Sequence, residues 1–262
     1  MHRPLFVVTA PRSGSTFLVA ALNSHPRIAM TNEAAWVTLL RKTRLLASTP
    51  ALHPIDDGEG FQTVGILPDR YVSSLSSAFD KVVEPFVAEF YGELVGDADF
   101  YGDKILSHND LAFAVEQFPD AVFVELVRDL RDVIVSTYAF EKKQPTAWQD
   151  APFELRHQHL DEFFQATERL LDGRQRHVVR YEDLVSDGPA TMARLFEAIG
   201  LPPSDDVTSY LEGPATDLFK TQGTSNTPGA SIGRWRTELT EDQRALLTEA
   251  LGHHLRRFGY EA

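Results

Sequence analysis

The run Pro11-Arg12-Ser13-Gly14-Ser15-Thr16 gathers groups suited to holding an anion: a planar, permanently charged guanidinium, several hydroxyls and a glycine. It stands where a short apolar run gives way to a helical pattern. A loop entering a helix in this way offers unpaired backbone N–H groups and the positive end of the helix dipole, which suits a phosphate or phosphosulfate. A second grouping, Val127-Arg128-Asp129-Leu130-Arg131-Asp132-Val133-Ile134-Val135-Ser136, sets Arg128 at the end of another apolar run. Ser136 follows about two helical turns beyond Asp129, roughly 10 Å along the axis at 1.5 Å per residue, so a long Arg side chain and the hydroxyl could share one phosphate. On residue types alone each grouping has a plainer reading. The first is also a capping turn of small polar residues, and Arg128 with Asp132 is also an ion pair around a helix start.

The elements that must position these residues can be read from periodicity. Leu5-Phe6-Val7-Val8 is a β-prone run, followed by the loop and a helix over Phe17 to Leu22 that ends near Asn23-Ser24-His25-Pro26. The order recurs with Val122 to Val127 as a buried strand and a helix from about Leu130 to Lys143, N-capped by Asp129 and supported by Asp132. A third strand, Val178 to Tyr181, leads through Glu182-Asp183-Leu184 to a helix from Pro189 that stops at Gly200. Its Met192, Leu195, Phe196 and Ile199 form one apolar stripe. A shorter helix runs from Asp110 to Gln117. Thr240 and Gln243 read as a capping box for a last helix closed by Gly259. Strands alternating with helices need right-handed crossovers and build a parallel sheet covered on both faces, with ligands beyond the carboxyl ends of the strands. The expected class is therefore α/β, in three layers, with a central parallel sheet flanked by helices. The 262 residues read as a single domain, 1–262.

Composition narrows the function. With 25 Lys plus Arg against 38 Asp plus Glu the net charge is −13, the wrong sign for a broad nucleic-acid-binding face, while a local pocket of arginines remains free to hold a small anion. No cysteine is present, which removes thiolate nucleophiles and cysteine-ligated metals and fits a cytoplasmic setting. No apolar run approaches the roughly 20 residues of a membrane span, and the short run after His2-Arg3 is broken by Pro11. His157 with His159, and His253 with His254, face different sides of their helices and read as solvated histidines, so no metal site is expected. Oligomeric state is not readable.

Pro-Arg-Ser-Gly-Ser-Thr-Phe-Leu after an N-terminal strand resembles the 5'-phosphosulfate loop of the sulfotransferases that use 3'-phosphoadenosine 5'-phosphosulfate (PAPS). The segment from Val127 to Ser136 resembles that family's 3'-phosphate motif, in the right order. Arg180-Tyr181-Glu182-Asp183-Leu184 is similar to its strand-end Tyr-Glu-Asp-Leu, and Ile232-Gly233-Arg234-Trp235-Arg236 to its C-terminal Gly-x-Trp loop. The resemblance implies a P-loop-like fold of the soluble bacterial type and a sulfuryl transfer from PAPS, without a metal. The cofactor contacts it implies are Arg12, Ser13, Gly14, Ser15, Thr16, Phe17, Arg128, Ser136, Tyr181, Gly233, Arg234 and Trp235. Arg12 stands where cytosolic members carry Lys, Leu130 replaces a frequent Pro, and Gly102-Asp103-Lys104-Ile105-Leu106 departs from Gly-Asp-Lys-Thr-Pro.

A hydroxyl or amine acceptor needs a general base. The resemblance offers Glu33, where bacterial and Golgi members carry a catalytic Glu, and His108, near where cytosolic members place a His; Glu33 is preferred. With Arg12 these are the catalytic candidates. Residues 34–100 match no familiar segment and carry scattered aromatics, so they are the expected wall of an acceptor pocket for a small molecule, lipid or sugar. Two rivals stay open. A P-loop kinase or hydrolase lacks support, because Gly14 has no Gly five residues before it and no Lys after it. The other is a non-catalytic protein that binds 3'-phosphoadenosine nucleotides.

Overall fold

The computed structural model describes residues 2–48, 68–144, 152–213 and 223–262. Strand β1 (Arg3–Val8) leads to α1 (Ser15–Asn23), β2 (Ile28–Met30) and α2 (Trp36–Ser48). After them come α3 (Pro68–Val95), β3 (Phe100–Gly102), β4 (Lys104–Ile105) and α4 (His108–Gln117). The second half holds β5 (Val122–Val127), α5 (Leu130–Glu141), α6 (Phe153–Leu170), β6 (Arg176–Arg180), α7 (Tyr181–Ser186), α8 (Gly188–Ile199) and α9 (Asp205–Glu212). A 3-10 turn (Gly229–Ser231), α10 (Trp235–Glu238) and α11 (Glu241–Arg257) complete the chain.

All strand pairs are parallel, in the order β2-β3-β1-β5-β6, with β4 also on β1. The period-2 alternation of side chains divides the apolar residues between two cores. Phe6, Val8, Phe123 and Val127 face one core with α2, α4, α5, α6 and α11, while Leu5, Val7, Val122, Val124 and Leu126 face the other with α1 and α8. This is the expected three-layer α/β sheet. Glu125, fully buried in β5, is paired with Arg176 of β6; burial pushes its carboxyl up, against the pull of the arginine.

Chain order places β1 between strands that follow it on either side, so its carboxyl end is the sheet's topological switch point, where a crevice opens. The Thr9 hydroxyl fixes this end by donating to the Leu126 carbonyl at 2.9 Å. β3 and β4 are one strand broken at Asp103, and they share the same flank of β1. The break has a steric origin: a Cβ on Gly102 would stand 1.6 Å from the Leu5 carbonyl oxygen, so the backbones approach where only glycine fits.

Several boundaries differ from those read in the sequence. Tyr181 opens α7 rather than ending a strand, α5 stops at Glu141, and α4 begins at His108 behind a Ser107 cap that accepts from Asn109 N. Asp129 does N-cap α5, accepting from Arg131 N at 3.0 Å, and the Thr240–Gln243 capping box is present. Asp132 has a role that the first-turn reading missed. Its buried carboxylate accepts from Gly233 N at 2.6 Å and from Trp235 N at 2.9 Å, and so pins a segment a hundred residues away. Asp132→Ala leaves two backbone donors without acceptors and should cost about 2–5 kcal/mol. Urea unfolding that showed wild-type stability for this variant would refute the role.

Candidate active site

The chain leaves β1 through Pro11 and turns back on Arg12, which holds a left-handed φ of 68°, and on Gly14 at φ 92°. Gly14 is required twice over. Besides its φ, a Cβ there would meet the Tyr181 ring at 2.4 Å, so the loop lies directly on that ring. No side chain caps α1; Phe17 N already donates to the Gly14 carbonyl at 3.1 Å, and the N–H groups of Ser15 and Thr16 are the ones open to a ligand. The Ser13 hydroxyl beside them is fully buried and has no partner among the described residues.

Arg128, at the end of β5, crosses beneath this loop. It donates to the Arg12 carbonyl at 3.0 Å and to the Ser231 carbonyl at 2.5 Å, with its guanidinium carbon 4.8 Å from the centre of the Tyr181 ring. Arg128 does not pair with Asp132. Asp129 instead grips Arg131 through both carboxylate oxygens, at 2.9 and 2.7 Å. Tyr181, 2% exposed, closes the ring of contacts with its hydroxyl 2.9 Å from Ser231 Oγ. Arg12 stacks over Phe140 at 4.3 Å. Burial, and then repulsion from Arg128, pull the Arg12 pKa below its ordinary value, with Glu33 opposing. An anion bound beside the two cations would relieve that repulsion.

On the other side of the loop, Lys104 brings its ammonium 2.5 Å from Glu33 Oε1 and 3.4 Å from Thr16 Oγ1. Glu33 sits on a strained turn, φ 59°, followed by Ala35 at φ 58°. The break in the β3–β4 strand explains how that turn is held: the Asp103 carboxylate accepts from Glu33 N at 3.0 Å and Lys104 N at 2.7 Å. Burial pushes the Asp103 carboxyl up, and these N–H donors pull it back.

These groups surround a cavity of about 290 Å³. Of the residues expected from sequence, Arg12, Gly14, Ser15, Thr16, Phe17, Glu33, Arg128, Ser136 and Tyr181 line it. Ser13 is buried behind the loop. Gly233 and Trp235 line a separate recess with Arg131 and Arg180, and Trp235 is clamped between Arg131 at 3.7 Å and Arg236 at 4.4 Å. Arg234 reaches the cavity's edge indirectly, donating to Thr224 Oγ1 at 3.0 Å, which is itself 3.0 Å from Ser136 Oγ. Lys104, Phe140, Thr224, Ser225 and Ser231 also line the cavity and were not singled out as site residues. Only Lys104 carried a signal, as the Lys of the altered Gly-Asp-Lys run.

A second cavity, about 680 Å³, adjoins the first and shares Pro11, Arg12, Leu106 and Phe140 with it. His108 lines this one and not the first, so the two candidate bases stand on opposite sides of the shared wall. Residues 49–67 of the expected acceptor stretch lie outside the described residues, and the described remainder of 34–100 lines neither cavity.

The reading of solvated histidines needs correction. His254 is fully buried against Phe164, its Nε2 3.0 Å from Asp161 Oδ1, and His253 reaches the same oxygen at 3.4 Å. Consecutive helical residues converge here because Asp161 projects from α6 between them. The three ligand atoms lie within 4.8 Å of one another; none of the three residues lines either cavity, although Asp161 stands in the chain between Leu160 and Glu162, which line the larger one. Among the described residues no helix is long and apolar enough to cross a membrane.

A parallel sheet with an uncapped, arginine-bearing loop at its switch point and a second arginine at the neighbouring strand end defines an α/β protein with an arrangement suited to an anion. The sequence profile described as the Sulfotransferase family matches residues 4–206, and the chain belongs to that family. The omega-hydroxy-beta-dihydromenaquinone-9 sulfotransferase Stf3 of Mycobacterium tuberculosis (strain CDC 1551 / Oshkosh) is 28% identical over 160 residues, 56% of this chain and 37% of that protein. An uncharacterized protein of Aquifex aeolicus (strain VF5) is 25% identical over 249 residues, 89% of this chain and 30% of that one. The chain thus spans about a third of the length of these curated relatives.

Among solved structures, the sulfotransferase domain from the curacin biosynthetic pathway matches with a TM-score of 0.63 at 17% identity, covering 100% of this chain and 99% of that one. Mouse sulfotransferase SULT7A1 complexed with PAP matches at 0.58 and 14% identity, covering 97% and 85%. These likenesses establish the fold.

Gly14→Ala should destabilise the protein by on the order of 1–3 kcal/mol, through both the left-handed backbone and the Tyr181 contact. Adding Tyr181→Ala should not restore stability, because the backbone strain persists. Full recovery in thermal melts of the double variant would show that the ring contact alone matters.

Proposed function

We propose that the protein transfers a sulfuryl group from PAPS to an acceptor hydroxyl by in-line displacement, with Glu33 as general base. The supporting observation is the pairing, in one cavity, of the α1 loop with Arg128 and Ser136. That arrangement offers two anion subsites, as a nucleotide with 5'- and 3'-phosphates demands. In this reading the 5'-phosphosulfate lies on the first-turn N–H groups of α1 with Arg12, and the 3'-phosphate lies towards Arg128 and Ser136.

The acceptor oxygen attacks sulfur as the bond from sulfur to the bridging phosphate oxygen breaks. The electron pair leaves with 3',5'-diphosphoadenosine (PAP), and the hydroxyl proton passes to Glu33. Charge growing on the leaving phosphate meets Arg12, the helix N-terminus and Lys104. Lys104 now holds Glu33 at 2.5 Å. An arriving phosphosulfate competes for that ammonium, and so loosens the carboxylate as the substrate that needs a base arrives.

His108, across the shared wall, is the alternative base. A kinase or hydrolase reading gains no support from the loop, which lacks the Lys that would contact a β,γ-phosphate.

Saturating PAP should raise the melting temperature by several degrees, since a ligand at 100 times its Kd adds about 2.7 kcal/mol. No shift would refute the donor site. Glu33→Gln should reduce kcat by about 10²-fold or more while PAP affinity stays near wild type. Wild-type turnover in that variant would transfer the role to His108, to be checked with His108→Asn.

A further inference from the structure

We propose that the acceptor is an alcohol with an apolar body, seated in the cleft between α5 and α6; this rests on the donor reading above. The 680 Å³ cavity is of the size that small-molecule sites have, and its wall with the donor cavity consists of Pro11, Arg12, Leu106 and Phe140. An acceptor hydroxyl at that wall faces the donor's sulfur, and among the described residues this cleft is where the remainder of the molecule extends.

The lining says what that remainder is. Val133 and Ile134 of α5 face Leu160 and Phe163 of α6, all buried in the same core, and Leu155 supplies an apolar rim that is 44% exposed. Apolar walls cannot answer the several hydroxyls of a sugar, because each hydroxyl would give up water without gaining a partner.

Charge argues in the same direction. Among the described lining residues Arg12 and Arg156 are balanced by Glu141 and Glu162, and Arg156 is bound to Glu141 at 2.8 Å while stacking on Tyr138 at 4.0 Å. A cavity without net formal charge does not select a polyanionic glycan or an acidic peptide. The Thr137 hydroxyl is occupied too, donating to the Val133 carbonyl at 2.9 Å. Of the remaining polar lining residues, Ser107 and His108 follow the shared Leu106 in the chain and so lie towards the end where the reacting hydroxyl belongs, and His159 stands beside Glu162 on α6, its Nδ1 3.9 Å from that carboxylate.

The test is a mass-spectrometric measurement of kcat/KM with PAPS and a panel of acceptors: primary alcohols of increasing apolar size, a monosaccharide, a sulfated disaccharide and a tyrosyl peptide. We expect kcat/KM to rise at least tenfold along the alcohol series and to exceed that of every polar acceptor. Leu155→Asp, a change at an exposed position, should raise the KM of the best alcohol about tenfold and leave the KM for PAPS and the PAP-induced melting shift unchanged. Preference for a sugar or peptide, indifference to Leu155→Asp, or PAP binding with transfer to no alcohol would each overturn the acceptor class and leave the donor site standing. Absence of a PAP shift would bring down the donor reading, and the acceptor class with it.

Discussion

One guanidinium ties the site together. Arg128 bonds the carbonyl of Arg12 and the carbonyl of Ser231, so three segments more than a hundred residues apart in sequence meet at one planar group. Its position is set by β5, a fully buried central strand that cannot shift without disturbing both cores. The Tyr181 ring beneath it leaves room for only a glycine at position 14, and that glycine gives the loop its left-handed turn into α1. The loop entering α1 is therefore shaped by a strand end and an aromatic ring, more than by its own residues. In this fold the flexible-looking Ser-Gly-Ser is packed on the Tyr181 ring and tied by Arg128 through the Arg12 carbonyl.

The same economy governs the opposite flank. Gly102 lets β3 approach β1 too closely for any other residue, the strand breaks, and Asp103 turns its carboxylate onto the Glu33 and Lys104 backbone. Left-handed conformations at Arg12, Glu33 and Ala35 cost energy for residues with a Cβ, and they occur only around this cavity among the described non-glycine residues. Strain concentrated in this way requires a surrounding structure that over-determines it. Asp103 supplies that on one side and Arg128 on the other.

Legibility in the sequence followed the range of each interaction. The loop from Pro11 to Thr16 and the Arg128–Ser136 pair could be read because their groups lie on one strand–turn–helix unit, where spacing and direction are fixed locally. The capping roles of Asp129 and Thr240 were legible for the same reason. Asp132 stands in the first turn as read, but its clamp was hidden because its partners, Gly233 and Trp235, are reached only through the tertiary fold. His254 looked solvated because adjacent histidines on a helix face different sides and so form no site of their own, whereas its partner, Asp161, belongs to another helix. Thr224, Ser225 and Ser231 carry no pattern that distinguishes them from any loop hydroxyl. Their place in the cavity comes from the Asp132 clamp and the Arg128 bond that fix the C-terminal segment.

The acceptor side was the least legible for a different physical reason. A phosphate must be met by charge and by directed N–H groups, and such residues stand out in a sequence. An apolar cleft needs no such groups: Val133, Ile134, Leu160 and Phe163, which line the second cavity, have the same types and the same helical spacing as residues that simply fill a core. Scattered aromatics between positions 34 and 100 drew the expectation there, yet Trp36 and Tyr91 use their polar atoms on each other, Trp36 Nε1 donating to Tyr91 Oη at 2.8 Å, and so complete the core. What separates a wall from a core is the empty volume beside it. That volume is lined from both α5 and α6, a relation between two helices that neither sequence contains alone. The anion-suited cavity is thus written in residue chemistry, and the apolar cleft beside it in the spacing of elements.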